Sequence, residues 1–397
     1  MGTRRKLRWV ALLYFAEGLP FGIVVDTLPV YLRTQGASLA AIGDLMGLVK
    51  APWTFKPLWA PLVDRLGSRR RWISGALGML AAALALISLL PAAPVGTALT
   101  LALLGFTVAA ATQDIAIDAY TIEILEPGEE GRANGIRVSA YRAALIVGGG
   151  LLLMVAGRIG WPAAFLATAT VLATIAIRVR SLPLTAVRPQ ALPDWLRALG
   201  DWLTRPGTPA LFLFVVVYKL GDQAMGPMVK PFWVDRGLTL DDIALVSTTL
   251  GVAASVLGAL VGGWFTSRWG ILRGLWVLGL LQAASNLGYA AAAWSDAGRP
   301  GIYAASLGES FTGGLGTAAF LAFLMNVCDK RQAATQYAVL SALFSFAGMA
   351  VSPFSGRGVA ALGYARYFAL TAALALPAYA LLPWVRQWIR EEPNPTP

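Results

Sequence analysis

Asp114 and Asp118 stand four residues apart in a stretch, 97–120, that is otherwise apolar enough to cross a membrane. That spacing places both carboxylates on one helix face. Two like charges on one face in a low dielectric cannot both be carried cheaply, the property wanted in a proton carrier. The alternative is a pair of structural carboxylates neutralised by Arg137 and Arg142 on the next apolar stretch. Glu17 and Asp26 flank Pro20 in the first such stretch. Pro20 removes a backbone donor and predicts a local break there, with carbonyls exposed to a cavity. Glu17 is the first candidate for proton coupling, and a salt bridge to Lys50 or Lys56 is its structural alternative.

The second half carries its own ionisable set. Lys219 and Asp222 are three apart and are expected to pair with each other. Lys230 has no obvious local partner and is expected to meet either an anionic cargo or Glu309. Glu309 opens a glycine-rich run, Glu309–Thr317, whose glycines allow close helix approach. Each ionised group at bilayer depth costs about 2.5–3.5 kcal/mol, and such groups normally face a bundle interior or a wet cavity on a substrate or ion path. A chain needing only to sit in lipid would not carry Glu17, Asp26, Lys50, Lys56, Asp114, Asp118, Arg137, Arg142, Lys219, Asp222, Lys230 and Glu309. The expectation is a transporter, with Glu17, Asp26, Asp114, Asp118 and Glu309 as proton-coupling candidates.

These groups must be positioned by membrane helices. The chain has 397 residues, 57% hydrophobic and 13% charged, against roughly 25% charged in soluble domains. Apolar runs near the ~20-residue spanning length recur throughout. Twelve spans are predicted: 8–32, 40–62, 72–91, 97–120, 133–156, 161–179, 209–233, 242–265, 273–294, 301–326, 333–354 and 363–384. The fold class expected is all-α, with twelve transmembrane helices in two pseudo-symmetric six-helix bundles. The bundles run 1–180 and 209–397, joined by a linker, 181–208, whose Trp195, Leu196, Leu199, Trp202 and Leu203 suit an amphipathic helix on the inner leaflet. A weak repeat supports the two halves. Gly36-Ala-Ser38 follows the first span and Gly237-Leu-Thr239 follows the seventh, each a glycine turn before a hydroxyl placed to cap the next helix.

The net charge of +11 is explained by topology. Arg4, Arg5, Lys6 and Arg8, then Arg65, Arg69, Arg70 and Arg71, then Arg178, Arg180, Arg188, Arg197 and Arg205 fall on one side. The positive-inside rule makes that side cytoplasmic, with both termini there, so no nucleic-acid partner is implied. The short basic N-terminus reads as retained rather than as a cleaved signal. The chain has one cysteine and no histidine, which excludes an internal disulfide, a cysteine-rich metal site and a histidine relay. No lysine is followed by Ser or Thr, so there is no nucleotide-binding loop of the Walker type and no ATPase is implied. An enzyme is not expected, nor a cofactor; the energy source expected is the proton gradient. The partners expected are a small anionic substrate and the bilayer, with the protein a monomer.

The loop after the second span reads Pro61-Leu-Val-Asp64-Arg65-Leu-Gly67-Ser-Arg69-Arg70-Arg71. Asp64 can accept hydrogen bonds at a helix end, while Arg65 and Arg69 can pair with acidic groups across a closing gap. The alternative is a stop-transfer cluster. This loop resembles the inner-gate signature of the major facilitator superfamily, which implies gating roles for Asp64, Arg65, Gly67, Arg69 and Arg70; Arg137 is a further gating candidate, since an Asp–Arg pair near the cytoplasmic end could lock the inward gate. The run Ala111-Thr-Gln113-Asp114-Ile-Ala-Ile-Asp118 is similar to a hallmark of AmpG-type muropeptide permeases and the related acetyl-CoA transporters. Leu13-Tyr14-Phe-Ala-Glu17-Gly-Leu-Pro20, Phe311-Thr-Gly-Gly-Leu-Gly316 and Ala334-Thr-Gln336-Tyr337-Ala338 add to the resemblance. It implies proton-driven import of a sugar–peptide wall fragment across the bacterial inner membrane by alternating access. Tyr14, Lys50, Gln113, Tyr141, Arg142, Lys219, Asp222, Lys230, Gln336 and Tyr337 are the substrate-binding candidates that go with it. Siderophore import is the runner-up, since one related branch has about this length; superfamily drug exporters share the loop signature.

Overall fold

The computed structural model describes residues 2–66, 68–125, 129–184, 200, 204–328 and 333–389. Among the described residues the regular structure is helical throughout. Eight helical stretches are long and apolar enough to cross a membrane, and one of these, Val339–Trp388, holds the last two spans together. The second and seventh spans are interrupted, and the ninth is less apolar because it carries Arg273, Gln282 and Asn286.

The first span runs Thr3–Thr34. Pro20 lies inside it without breaking it, and the irregularity comes one turn later, as a π-helical stretch over Ile23–Thr27 that contains Asp26. Similar wide turns occur at Ile146–Leu151 in the fifth span and Ile243–Leu250 in the eighth. The second span ends earlier than expected. Its helix, Leu39–Phe55, gives way to a tight turn, Lys56–Leu58, before a short helix, Ala60–Arg65. Pro57 and Pro61 lack the N–H that a continuing helix needs. The third, fourth and sixth spans are Arg69–Ile87, Thr97–Ile124 and Trp161–Val179. The seventh span is in two pieces, Thr208–Tyr218 and Leu220–Asp235, parted at Lys219. The ninth and tenth are Ile271–Trp294 and Arg299–Val327.

The two turns of the repeat are alike in detail. Gly36 and Gly237 have φ of 88° and 71°. Ser38 accepts from the Ala41 amide, and Thr239 and Asp242 form a reciprocal capping box. Three helix pairs are joined through one glycine each: Gly160 between the fifth and sixth spans, Gly270 between the eighth and ninth, and Gly363 between the last two, at φ of 83°, 87° and 75°. L side chains rarely adopt that backbone.

The chain divides into two compact units. One holds 1–190 with 227–252, and the other holds 191–226 with 253–397. In the first, the first and fifth spans pack closely. A Cβ on Gly18 would fall 2.8 Å from the Tyr141 carbonyl oxygen and 2.9 Å from Ala144 Cβ. Gly18→Val is therefore expected to destabilise the protein by about 1–3 kcal/mol through overpacking, read as a lowered Tm in detergent. In the second unit the core gathers Phe214, Tyr218, Phe320, Phe323 and Tyr379, with Tyr218 stacked on Phe320 at 5.2 Å. Cys328 is buried at its edge. The linker's expected amphipathic helix lies outside the described residues.

Candidate functional site

The fourth span carries Asp114 and Asp118 on the face turned toward the first, second and fifth spans. Each acid has a different partner. The indole of Trp53 donates to Asp114 Oδ2 at 2.8 Å, and Lys56 Nζ lies 3.8 Å from the same oxygen. The tight turn at Lys56–Leu58 brings that lysine to the site. Tyr14 donates its hydroxyl to Asp118 Oδ1 at 2.7 Å, and Arg137 reaches that oxygen at 3.2 Å. The Arg137 guanidinium also sits 4.6 Å from the Tyr14 ring centroid. Neutralisation of the pair by Arg137 and Arg142 together is thus not what is found: Arg137 serves Asp118, while Lys56 serves Asp114.

Glu17 is the third acid and differs in kind. It is 8% exposed, faces Asp114 and Asp118, and its Oε2 has no hydrogen-bond partner among the described residues. Among the described residues Glu17 makes no bridge to Lys50 or Lys56; Lys56 is turned to Asp114. Gln113 is fully buried beside Asp114, with neither amide atom bonded among the described residues. A buried carboxylate without a partner carries a heavy desolvation cost. Tyr141 faces Asp114, Glu17, Arg142 and Arg137, and its ring lies 6.2 Å from that of Phe21, which stands edge-on to Trp53 at 5.7 Å. Lys50 and Arg142 are half-buried. The cluster can hold a proton at one position and anionic or carbohydrate-like groups against aromatic faces.

Asp26 is not part of this cluster. Its nine-residue offset from Glu17 is about 14 Å along the helix. Asp26 Oδ1 pairs with Lys230 Nζ at 3.1 Å, which supplies the partner that Lys230 lacked in its local sequence. In the second compact unit Lys219 Nζ binds Asp222 at 3.4 Å, Thr317 at 3.1 Å and the Gln282 side-chain oxygen. Gln282 in turn donates to Asp222. Glu309 is half-buried within electrostatic reach of Lys219. Gln336 is buried, and Tyr337 packs on the aromatic core.

Of the loop residues, Gly67 and the side chains of Asp64 and Arg65 lie outside the described residues. Arg69 ties the start of the third span to the end of the fourth, through Glu123 at 3.0 Å, and donates to the Val63 carbonyl at 3.0 Å. Arg70 donates to the Leu182 carbonyl at 3.4 Å.

Residues 10–219 match the Major Facilitator Superfamily. The chain belongs to that superfamily. The anhydromuropeptide permease of Escherichia coli K12 is 34% identical over 95% of this chain and 79% of its own length. Two solved structures share the fold: a bacterial homologue of the human lysosomal transporter Spinster in an inward-facing, unoccupied conformation, and the nucleoside transporter NupG. They are 17% and 14% identical, each with a TM-score of 0.75, and cover 98% and 99% of this chain.

As a major facilitator, the protein is a multi-pass membrane transporter of a small-molecule substrate and not an enzyme. The residues that complete this facilitator's polar clusters include several that sequence reasoning passed over: Trp53, Glu123, Ser247, Thr248 and Gln282. Trp53 and Gln282 carried a signal, as polar hydrogen-bonding groups within apolar spans. Ser247 and Thr248 looked like ordinary small helix residues.

Proposed function

We propose that this facilitator imports an amphipathic anionic solute, anhydromuropeptide first, together with a proton, across the bacterial inner membrane by alternating access. The observation that carries the proton part is Glu17. Among the described residues Asp114 and Asp118 each pair with a cation and Glu17 does not, so we take it as the acid whose charge changes most cheaply between conformations. Proton uptake at Glu17 from one side and loss to the other would tie solute movement to the gradient. Tyr141, which faces both Glu17 and Arg142, suits a carboxylate and a sugar ring. The named activity of the relative from Escherichia coli supports the cargo. Both termini are cytoplasmic in this reading, following the distribution of arginine and lysine.

The test is uptake of labelled anhydromuropeptide into proteoliposomes that are acidic outside. Accumulation that collapses on adding a protonophore is the expected result. Facilitated equilibration without accumulation would overturn the coupling, and no uptake by correctly oriented protein would overturn the cargo and put siderophores next.

A further inference from the structure

Several cations of this chain have their acceptors in the protein. Lys230 Nζ has Asp26 Oδ1 at 3.1 Å, Ser247 Oγ at 2.8 Å and Thr248 Oγ1 at 3.1 Å, and Arg158 reaches Asp241 at 3.4 Å. Arg268 and Arg273 differ. Both are exposed, and among the described residues neither guanidinium has an acceptor. An exposed arginine by itself needs no explanation. These two are set apart by their place, each at the end of an outward apolar row.

Both rows belong to the second compact unit. In the eighth span, Leu240–Trp269, the inner face is marked by Gly258 and Gly262. A Cβ on Gly262 would fall 2.6 Å from the Leu315 carbonyl oxygen, and one on Gly258 would meet the carbonyl of Phe311. Leu257, Leu260 and Trp264 fall on the opposite face, and Arg268 continues their row. All three apolar residues are exposed, Trp264 by 62%. The ninth span repeats the pattern. Leu275, Leu278 and Gln282 are buried on its inner face, whereas Leu280, Val277 and Trp276 make an exposed row that ends in Arg273. Gly270 joins the two helices, so the arginines stand two residues before and three residues after one joint.

The ninth span also fixes their depth. Trp276 and Trp294 are both exposed and stand five turns apart on one face, about 27 Å along the helix. That is close to the ~30 Å of a hydrocarbon core, and indoles favour its two boundaries. Arg273 lies one turn outside Trp276, at the level of lipid headgroups. The rings beside it are packed rather than loose: Trp269 stands edge-on to Trp264 at 5.0 Å and lies 4.4 Å from Phe265.

We propose that Arg268 and Arg273 clamp the phosphate of one anionic phospholipid, whose acyl chains lie along the two apolar rows. A guanidinium matches a phosphate by two parallel hydrogen bonds. Two such cations against one phosphodiester leave a surplus positive charge, which repels the ammonium of a zwitterionic headgroup and favours a headgroup with net negative charge. Inorganic phosphate would satisfy the arginines and leave the rows uncovered, so the occupant is a lipid. The site depends neither on the cargo nor on Glu17, and it holds for either orientation in the membrane.

The experiment mixes the full-length protein in detergent with equal amounts of phosphatidylglycerol and phosphatidylcholine of identical acyl chains, and counts retained lipids by native mass spectrometry. Wild-type protein is expected to retain phosphatidylglycerol in preference. Arg268→Gln and Arg273→Gln should each weaken that retention about fivefold, and the two together about thirtyfold, from the loss of one interfacial cation apiece. Retention of phosphatidylcholine should not change. Arg158→Gln, at the single-glycine joint of the fifth and sixth spans, is the control and should leave both lipids as they were. A preference that survives in the double variant would overturn the site. So would an equal loss in Arg158→Gln, which would make the effect one of overall charge, or release of the lipid by millimolar inorganic phosphate, which would make it an anion site without acyl contacts. Should the double variant fail to fold, the single variants decide, since a preference unchanged in both is enough to reject the clamp.

Discussion

Glu17→Gln is expected to abolish proton-driven accumulation while leaving solute exchange. The side chain keeps its size, and the amide carries no titratable proton. The wild-type protein, moving one proton with each solute, should concentrate solute about tenfold per pH unit across the membrane from the chemical gradient alone. In the variant that ratio should fall to one. Counterflow of labelled against unlabelled solute, which needs no net proton movement, should persist within a few-fold. The comparison also separates Glu17 from its neighbours. Asp118→Asn would take the charge from the oxygen that Arg137 and the Tyr14 hydroxyl share, and so should weaken exchange as well as accumulation. If Glu17→Gln loses exchange too, its role is to bind or to support the site; if accumulation survives, the proton is carried elsewhere.

The second large effect expected is on stability, in the other unit. Lys219→Met should destabilise the protein by about 3–5 kcal/mol, since it strands the Asp222 carboxylate among buried groups. Gln282 and Thr317 would lose a donor at the same time. The double variant Lys219→Met with Asp222→Leu should recover most of that loss, because a buried ion pair replaced by apolar side chains of similar volume is often neutral. Thermal unfolding in detergent reads both. A double variant as unstable as the single would show that the hydrogen bonds around Gln282 and Thr317, not the charge pair, supply the stability.

Much of the architecture was legible in the residues, because its signals are local. Long apolar runs mark helices. Gly36 with Ser38 and Gly237 with Thr239 mark the turns that start the second and eighth spans, and Lys219 with Asp222 is a pair on one helix face. The proline signals were present but incompletely read. Pro57 and Pro61 end the second helix early, whereas Pro20 is absorbed into the first and the irregularity appears at Ile23–Thr27 instead. No spacing rule announces a π-turn, since it is set by what packs against the helix. The site was harder still. Arg33 and Asp235 are 202 residues apart, and Asp26 and Lys230 are similarly distant, so no local pattern could join them. That Lys56 turns to Asp114 and leaves Glu17 alone depends on the bend after Phe55. Composition could name the candidates there, but only the bend decides which acid has a partner.

The single-glycine joints at Gly160, Gly270 and Gly363 bear on how such a molecule can move. A joint of one residue offers two torsions and no slack, and at these positions the backbone already sits where other residues resist going. The two helices of each pair cannot slide, separate or change their splay at that end without unmaking the turn. Each pair is a strut, and any load applied to one helix is delivered to its mate. The machine therefore has fewer independent parts than it has spans. Its compliance must reside in the places where the backbone is already short of hydrogen bonds, not in the connections.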